Sequence, residues 1–150
     1  MKRHPDLLQL SRDHYGALKL ARDARRAAES GEPGAVAALA RRVVEVFPVE
    51  LDPHFCVEEQ GILVLLAQAG QQALAESTLA DHAELRRLAE ALATPDAETL
   101  RRFAELLAAH VRFEEREVFE AAQALLERIP FQSEPQSTRI MATGTTCPSN

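Results

Sequence analysis

Helix breakers cut the chain into four segments, and their spacing dictates most of what it can become. Gly31, Pro33 and Gly34 end a first helical segment that begins near Asp6 and runs to Ser30. Gly70 closes a second segment, residues 35–69. Pro48 and Pro53 lie inside it, so a kink or break is expected there. A third spans residues 72–93 and stops at Thr94-Pro95. The fourth starts at a Thr94 or Asp96 cap and continues to about Arg128, with Pro130 as its terminator. Helices of ~25 residues rise about 37 Å, and short connections force neighbours to run antiparallel. The predicted fold is all-α, an up-down-up-down four-helix bundle over residues 1–130. Residues 131–150 are rich in Ser, Thr, Pro and Gln and are expected to form a flexible tail.

Composition supports this and excludes several classes. The 150 residues suit one domain, and 46% hydrophobic content supplies a core without staples. Ala, Leu, Glu and Arg dominate, Trp is absent, and no sustained alternating runs suggest strands. A net charge of -6 disfavours a general nucleic-acid binder. No uncharged apolar run of about 18 residues exists, so no membrane span is expected. Asp6, Arg12 and Asp13 interrupt the start of the chain, which lacks a signal-peptide core. Cys56 and Cys147 are too few for a disulfide framework. The expectation is a soluble cytoplasmic protein that binds neither nucleic acid nor membrane.

The histidines are the informative residues. His4 precedes a proline at the start and has no periodic context, but His14, His54, His82 and His110 fall one in each helical segment. On a helical wheel each lies within an apolar stripe. These stripes are Leu7, Leu10, Ala17, Leu18 and Ala21 in the first segment, and Val36, Val43, Phe47, Leu51 and Leu65 in the second. The third has Ala75, Leu79, Leu85, Ala89 and Leu92; the fourth has Leu100, Phe103, Leu106, Leu107, Phe113, Val118, Ala121 and Leu125. Glu58 and Glu114 follow His54 and His110 by four residues, which puts imidazole and carboxylate on one face, one turn apart.

Ionised carboxylates buried without partners cost several kcal/mol each. Two of them beside four imidazoles make a poor apolar core. Two divalent cations would neutralise the carboxylates and use the imidazole lone pairs. A nitrogen and oxygen donor set suits iron, zinc or manganese better than calcium or magnesium. The six candidate metal ligands are therefore His14, His54, Glu58, His82, His110 and Glu114.

These residues resemble the hemerythrin-like, or HHE cation-binding, domain family. Residues 53–59 read Pro-His-Phe-Cys-Val-Glu-Glu, and residues 110–119 read His-Val-Arg-Phe-Glu-Glu-Arg-Glu-Val-Phe. Both contain His-x-x-x-Glu-Glu followed by apolar residues. His14 in Asp-His-Tyr and His82 in Asp-His-Ala-Glu-Leu fit the family's single histidines on helices 1 and 3. The resemblance covers residues 1–130. It implies a non-haem di-iron cofactor, two iron ions with an oxo or hydroxo bridge. The four histidines would be terminal ligands, and Glu58 and Glu114 would bridge. Ferritin-like proteins instead use Glu-x-x-His, and no histidine here has a glutamate three residues before it.

One position departs from the oxygen-carrying hemerythrins, which add a histidine one turn after the helix 3 histidine. Here it is Arg86, which cannot ligate. Reversible oxygen storage is thereby put in doubt. Glu50 and Glu117 fall near the same seam, as further ligands, supporting groups or rim residues. Glu59 and Glu115, one step off the ligand face, are expected to be exposed. Cys56 reads as a structural cysteine, Cys147 as a free thiol, and Arg25-Arg26 and Arg41-Arg42 as solvated faces. Tyr15 is placed either near the cavity or on the surface.

The function implied is binding of, or reaction with, a small ligand, namely oxygen, peroxide or nitric oxide, in sensing, detoxification or iron handling. Alternatives are an iron donor for repair of iron centres and a metal-free helical interaction domain. The sequence decides neither for nor against an enzyme, and it shows no catalytic acid, nucleophile or substrate pocket. It identifies no protein partner.

Overall fold

A computed structural model describes residues 2–129. The expected tail, residues 131–150, lies outside them, as does Cys147. The described residues form four long helices and no strands. Helix α1 is Pro5–Ser30 and α3 is Gln72–Ala91. Helix α2 covers residues 33–68 and α4 covers residues 97–128, each with an internal irregularity.

The ends follow from local chemistry. His4 caps α1: its Nδ1 accepts the Asp6 backbone N–H at 3.2 Å, and Pro5 occupies the first turn, where a missing N–H costs nothing. Asp96 caps α4 by accepting the Thr99 N–H at 2.8 Å. Gly31 (φ 69°) and Gly70 (φ 85°) turn the chain after α1 and α2 in the left-handed conformation that side chains disfavour.

The break expected near Pro48 is a π turn, Phe47–Leu51. Proline offers no N–H to the preceding turn. The helix winds wider there, and the Asp52 N–H reaches back five residues to the Phe47 carbonyl. Pro53 opens the next α-helical stretch, Asp52–Gln60, without a further break. A second interruption falls at Gly61 (φ -116°, ψ -94°), before Ile62–Gln68. Helix α4 contains a π turn that no proline signals, Glu114–Val118, closed by the Phe119 N–H on the Glu114 carbonyl.

The core has two apolar blocks with a polar layer between them. One block joins residues such as Leu20, Ala24, Val43, Phe47, Leu88 and Phe103. The other gathers Leu7, Leu10, Ile62, Leu66, Phe119 and Leu126. Burying these side chains in place of water contributes roughly 1.5–3 kcal/mol for each large one. Two stripe positions differ from expectation, since Leu18 and Leu79 are exposed. Spacings of three and four residues run Leu7, Leu10, His14, Ala17, Ala21, Ala24 in α1 and Ala75, Thr78, His82, Leu85, Ala89 in α3. Leu18 and Leu79 sit one step beyond those ladders, so apolar type alone does not bury them. Thr78 takes the interior place and satisfies its hydroxyl on the Leu74 carbonyl at 2.8 Å. No helix among the described residues is long and apolar enough to cross a membrane.

Candidate metal centre

The polar layer is made of His14, His54, Glu58, His82, His110 and Glu114, all buried. Each helix contributes a histidine; α2 and α4 each add a glutamate one turn on. The donor atoms fall into two groups of four. One contains His14, His54, Glu58 and Glu114, the other Glu58, His82, His110 and Glu114, with all donors of a group within 4.8 Å of one another. Both glutamates belong to both groups.

Their oxygens are divided accordingly. Glu58 places Oε1 2.9 Å from His54 Nε2 and Oε2 3.2 Å from His82 Nε2. Glu114 places Oε2 2.9 Å from His14 Nε2 and Oε1 2.8 Å from His110 Nε2, with His82 Nε2 at 3.4 Å. Each carboxylate thus offers one oxygen to each pair of histidines.

Six of these buried atoms have no hydrogen-bond partner among the described residues: His54 Nε2, both oxygens of Glu58, His82 Nε2, His110 Nε2 and Glu114 Oε1. They approach each other at ion-pair distances but do not align as hydrogen bonds. Leaving such groups unsatisfied costs about 1–3 kcal/mol each, more when charged. A donor set this concentrated, with its lone pairs converging, fits cations.

The other ring nitrogen of every histidine faces a carboxylate from a neighbouring helix. Asp13 of α1 is 3.0 Å from His54 Nδ1 of α2. Glu59 of α2 is 2.8 Å from His82 Nδ1 of α3. Asp81 of α3 is 3.2 Å from His110 Nδ1 of α4. Glu115 of α4 is 2.7 Å from His14 Nδ1 of α1, which closes the circuit. An ionised carboxylate only accepts, so each Nδ1 donates and each Nε2 points at the centre. The supports are themselves held. Ser11 donates its hydroxyl to Glu115 at 2.6 Å, Arg3 reaches the same carboxylate at 2.7 Å, and Gln9 donates to Asp13 at 2.8 Å.

Glu59 and Glu115 are therefore not the exposed residues their wheel positions predicted; their side chains are 18% and 28% exposed. A residue 100° off the central stripe of a four-helix bundle faces the adjacent helix rather than water. The signal for the circuit was in the sequence, as Asp-His at 13–14 and 81–82 and Glu-Glu at 58–59 and 114–115. Glu50 and Glu117 do not join the donor groups and are exposed. Arg86 donates to Glu59 at 2.7 Å and to Asp52 at 2.6 Å. It occupies the turn after His82 and braces the carboxylate that orients His82. Cys56 is buried and is not a free thiol. Tyr15 lies on the surface.

The electrostatics match the geometry. Burial pulls the His14 pKa down, but its contacts with Glu114 and Glu115 outweigh that and raise it to about 9. Burial opposes charge on His54 as well; Glu58 and Asp13 overcome it and raise the pKa to about 10. His82 is likewise raised to about 10 against burial by Glu114, Glu58 and Glu59. His110 shifts up for the same reason, through Asp81 and Glu114. Burial alone would raise the Glu114 carboxyl, yet His110, His14 and His82 hold it well below the usual range. Without a metal, protons on the imidazoles balance the carboxylates.

The two sides of the centre differ in access. A cavity of about 480 Å³ opens beside His14, His54, His110 and Glu114, and its rim includes Arg12, Asp13, Gly16 and Glu50. Phe55, which lines the cavity, also stacks on His82 with ring centres 4.0 Å apart and planes 10° from parallel, and His82 does not reach the cavity. Arg86 lies over the same Phe55 ring at 5.7 Å.

Residues 7–122 match the family model described as the hemerythrin HHE cation binding domain. No curated protein and no solved structure matches the chain. The chain belongs to the hemerythrin HHE cation-binding domain family. Family and donor set both point to metal binding.

Proposed function

We propose that this protein holds a non-haem di-iron centre and uses it to bind, or react with, a small ligand such as oxygen, peroxide or nitric oxide. The observation that carries the reading is the sharing of Glu58 and Glu114 between two histidine pairs. His14 and His54 would hold one cation and His82 and His110 the other, with the two carboxylates bridging. Four nitrogens and two carboxylates would leave coordination positions free for an exogenous ligand. Iron bound there supplies redox chemistry and open coordination positions for a diatomic or peroxide ligand. The residues hold each imidazole in one tautomer, set the spacing of the sites, and bury all six donor side chains. Orphaned atoms at the centre disfavour a metal-free interaction domain, because such a core would be more stable filled with apolar side chains.

The reading is tested by metal analysis on untagged protein, with ultraviolet-visible spectra of the Fe(II)-loaded form before and after air. About two irons per chain and new near-ultraviolet bands after air are expected for a two-metal site. Zinc alone, or no spectral response after iron loading, would remove the redox-active di-iron reading.

A further inference from the structure

The cavity beside His14 and His54 is larger than the proposed ligands need. Its 480 Å³ compares with about 30 Å³ for one water and lies within the roughly 300–1,000 Å³ of sites for small organic molecules. Apolar and polar groups share its walls. Leu20, Val46, Leu51, Phe55, Leu107 and Val111 make an apolar sleeve between the polar floor and a rim where exposed Val49 stands beside Arg12, Asp13 and Glu50. A diatomic would leave most of that sleeve uncovered.

Gly16 adds an independent indication. It lies in the middle of α1, where glycine costs roughly 0.5–1 kcal/mol relative to alanine. A Cβ built there meets nothing within 4 Å, so no close approach within the protein requires glycine. Its missing side chain leaves open the cavity rim and an adjoining surface hollow beside Tyr15, Leu18 and Arg112.

The rim defines the charge of the occupant. Arg12 is exposed there and makes no ion pair among the described residues. Asp13 and Glu50 flank it and would repel a multiply charged anion. The floor, if it holds cations as proposed above, also favours a single negative head.

We propose that this cavity is a binding site for a small organic monocarboxylate with an apolar body, its hydrocarbon against the sleeve and its head toward the metal centre. The assignment of the head rests on the di-iron reading; the sleeve does not.

Calorimetric titration with acetate, butanoate, hexanoate and benzoate tests it, on iron-loaded protein of measured metal content and on protein stripped by chelation. Affinity should rise by roughly three- to fourfold per methylene from acetate to hexanoate, the gain for a buried CH₂. Gly16→Leu and Val46→Phe add bulk at two lining positions on different helices, neither of them a donor. Each should lower hexanoate affinity at least tenfold while metal content stays the same. Leucine also favours the helix more than glycine does, so Gly16→Leu is expected to fold. Binding that does not depend on chain length, no binding of hexanoate or benzoate, or indifference to both plugs overturns the proposal. A low metal count in every sample counts against the di-iron reading alone. Length-dependent binding to stripped protein then still supports the sleeve, and its absence overturns it.

Discussion

The His14–His54 side and the His82–His110 side carry identical donors, two imidazoles each and the same two glutamates. They differ only in what lies behind them. A cavity whose rim is lined by a glycine and by residues of the π turn at Phe47–Leu51 meets both histidines of the first and His110 of the second. Of the four histidines His82 alone does not line it; Phe55, a wall of that cavity, stacks on the His82 ring, and Arg86 lies over Phe55. Coordination chemistry is thus set by residues at the centre of each stripe, and access by their neighbours. Two metals held as proposed would meet equal donors but unequal access.

Removing a shared residue should erase the distinction with the largest effect. Glu114→Ala is expected to lose both metals, whereas His82→Ala should spare the other side. In the metal-free protein Glu114→Ala leaves buried imidazolium groups without their carboxylate and should cost about 3–5 kcal/mol. Metal analysis and denaturant unfolding read both effects; full metal content in Glu114→Ala would falsify the bridging assignment.

Uncovering His82 is the next test. Phe55→Ala should cost about 3–5 kcal/mol through the cavity it leaves. It should also speed removal of the metal at His82 and His110 by a chelator. Biphasic chelation in the wild type that becomes single-phase in the variant is expected; unchanged kinetics would mean that Phe55 is not the seal.

A gentler change loosens one ligand. Glu59→Gln weakens the acceptor on His82 Nδ1 and releases Arg86, and metal affinity at that side should fall by about 10–100-fold. Glu115→Gln should do the same at His14. Competition titration against a chelating dye separates the two, and equal affinity in all three proteins would sink the circuit as a positioning device.

The pH dependence sharpens the comparison further. In the metal-free protein the folded-state histidine pKa values lie above the ordinary 6.5, at about 9 for His14 and about 10 for His54 and His82. Their stabilisation is complete below pH 6.5 and is lost as pH rises through those values. Glu114, Glu115, Glu59 and Asp13 are lowered, so their contribution is present above the ordinary carboxylate range and lost as pH falls below it. Metal-free stability should therefore peak in mildly acidic solution and decline toward pH 10. Metal binding should strengthen over the same interval as protons leave the imidazoles. Histidine NMR titration of the metal-free protein should show all four imidazoles deprotonating above the ordinary 6.5. Metal-free melting temperatures that climb from pH 7 to 10 would contradict this balance.

The smallest effect belongs to the cavity rim. Gly16→Ala should raise stability by roughly 0.5–1 kcal/mol, since the added methyl meets no neighbour. A loss in thermal unfolding would show that the glycine is needed for packing.

Much of this molecule was legible before any coordinates. The breakers marked four helices, and the third ends at Ala91, two residues short of the expected boundary. In-phase histidines and glutamates identified a buried polar layer, because the apolar stripes around them had to face inward. Leu18 and Leu79 misled, since their apolar character matched the stripe while their phase fell at its edge. Glu59 and Glu115 misled in the opposite sense. A wheel treats one helix at a time and assigns anything off the stripe to water, whereas in the bundle those flanks meet another helix. The unsignalled π turn at Glu114–Val118 follows from no local residue preference that we can name.

The sequence by itself determined the helices, the inward face of each and the six donors on those faces, because 3.6-residue periodicity and breaker chemistry are local properties. Tertiary structure alone decided that His14 joins His54 and His82 joins His110, that Asp13, Glu59, Asp81 and Glu115 pass orientation from helix to helix, and that His14, His54 and His110 meet the cavity while His82 does not. Those depend on helix rotation and on contacts between residues as far apart as Ser11 and Glu115. No local pattern encodes such distances, because they are fixed only when the two apolar blocks pack and bring four separate faces to one layer.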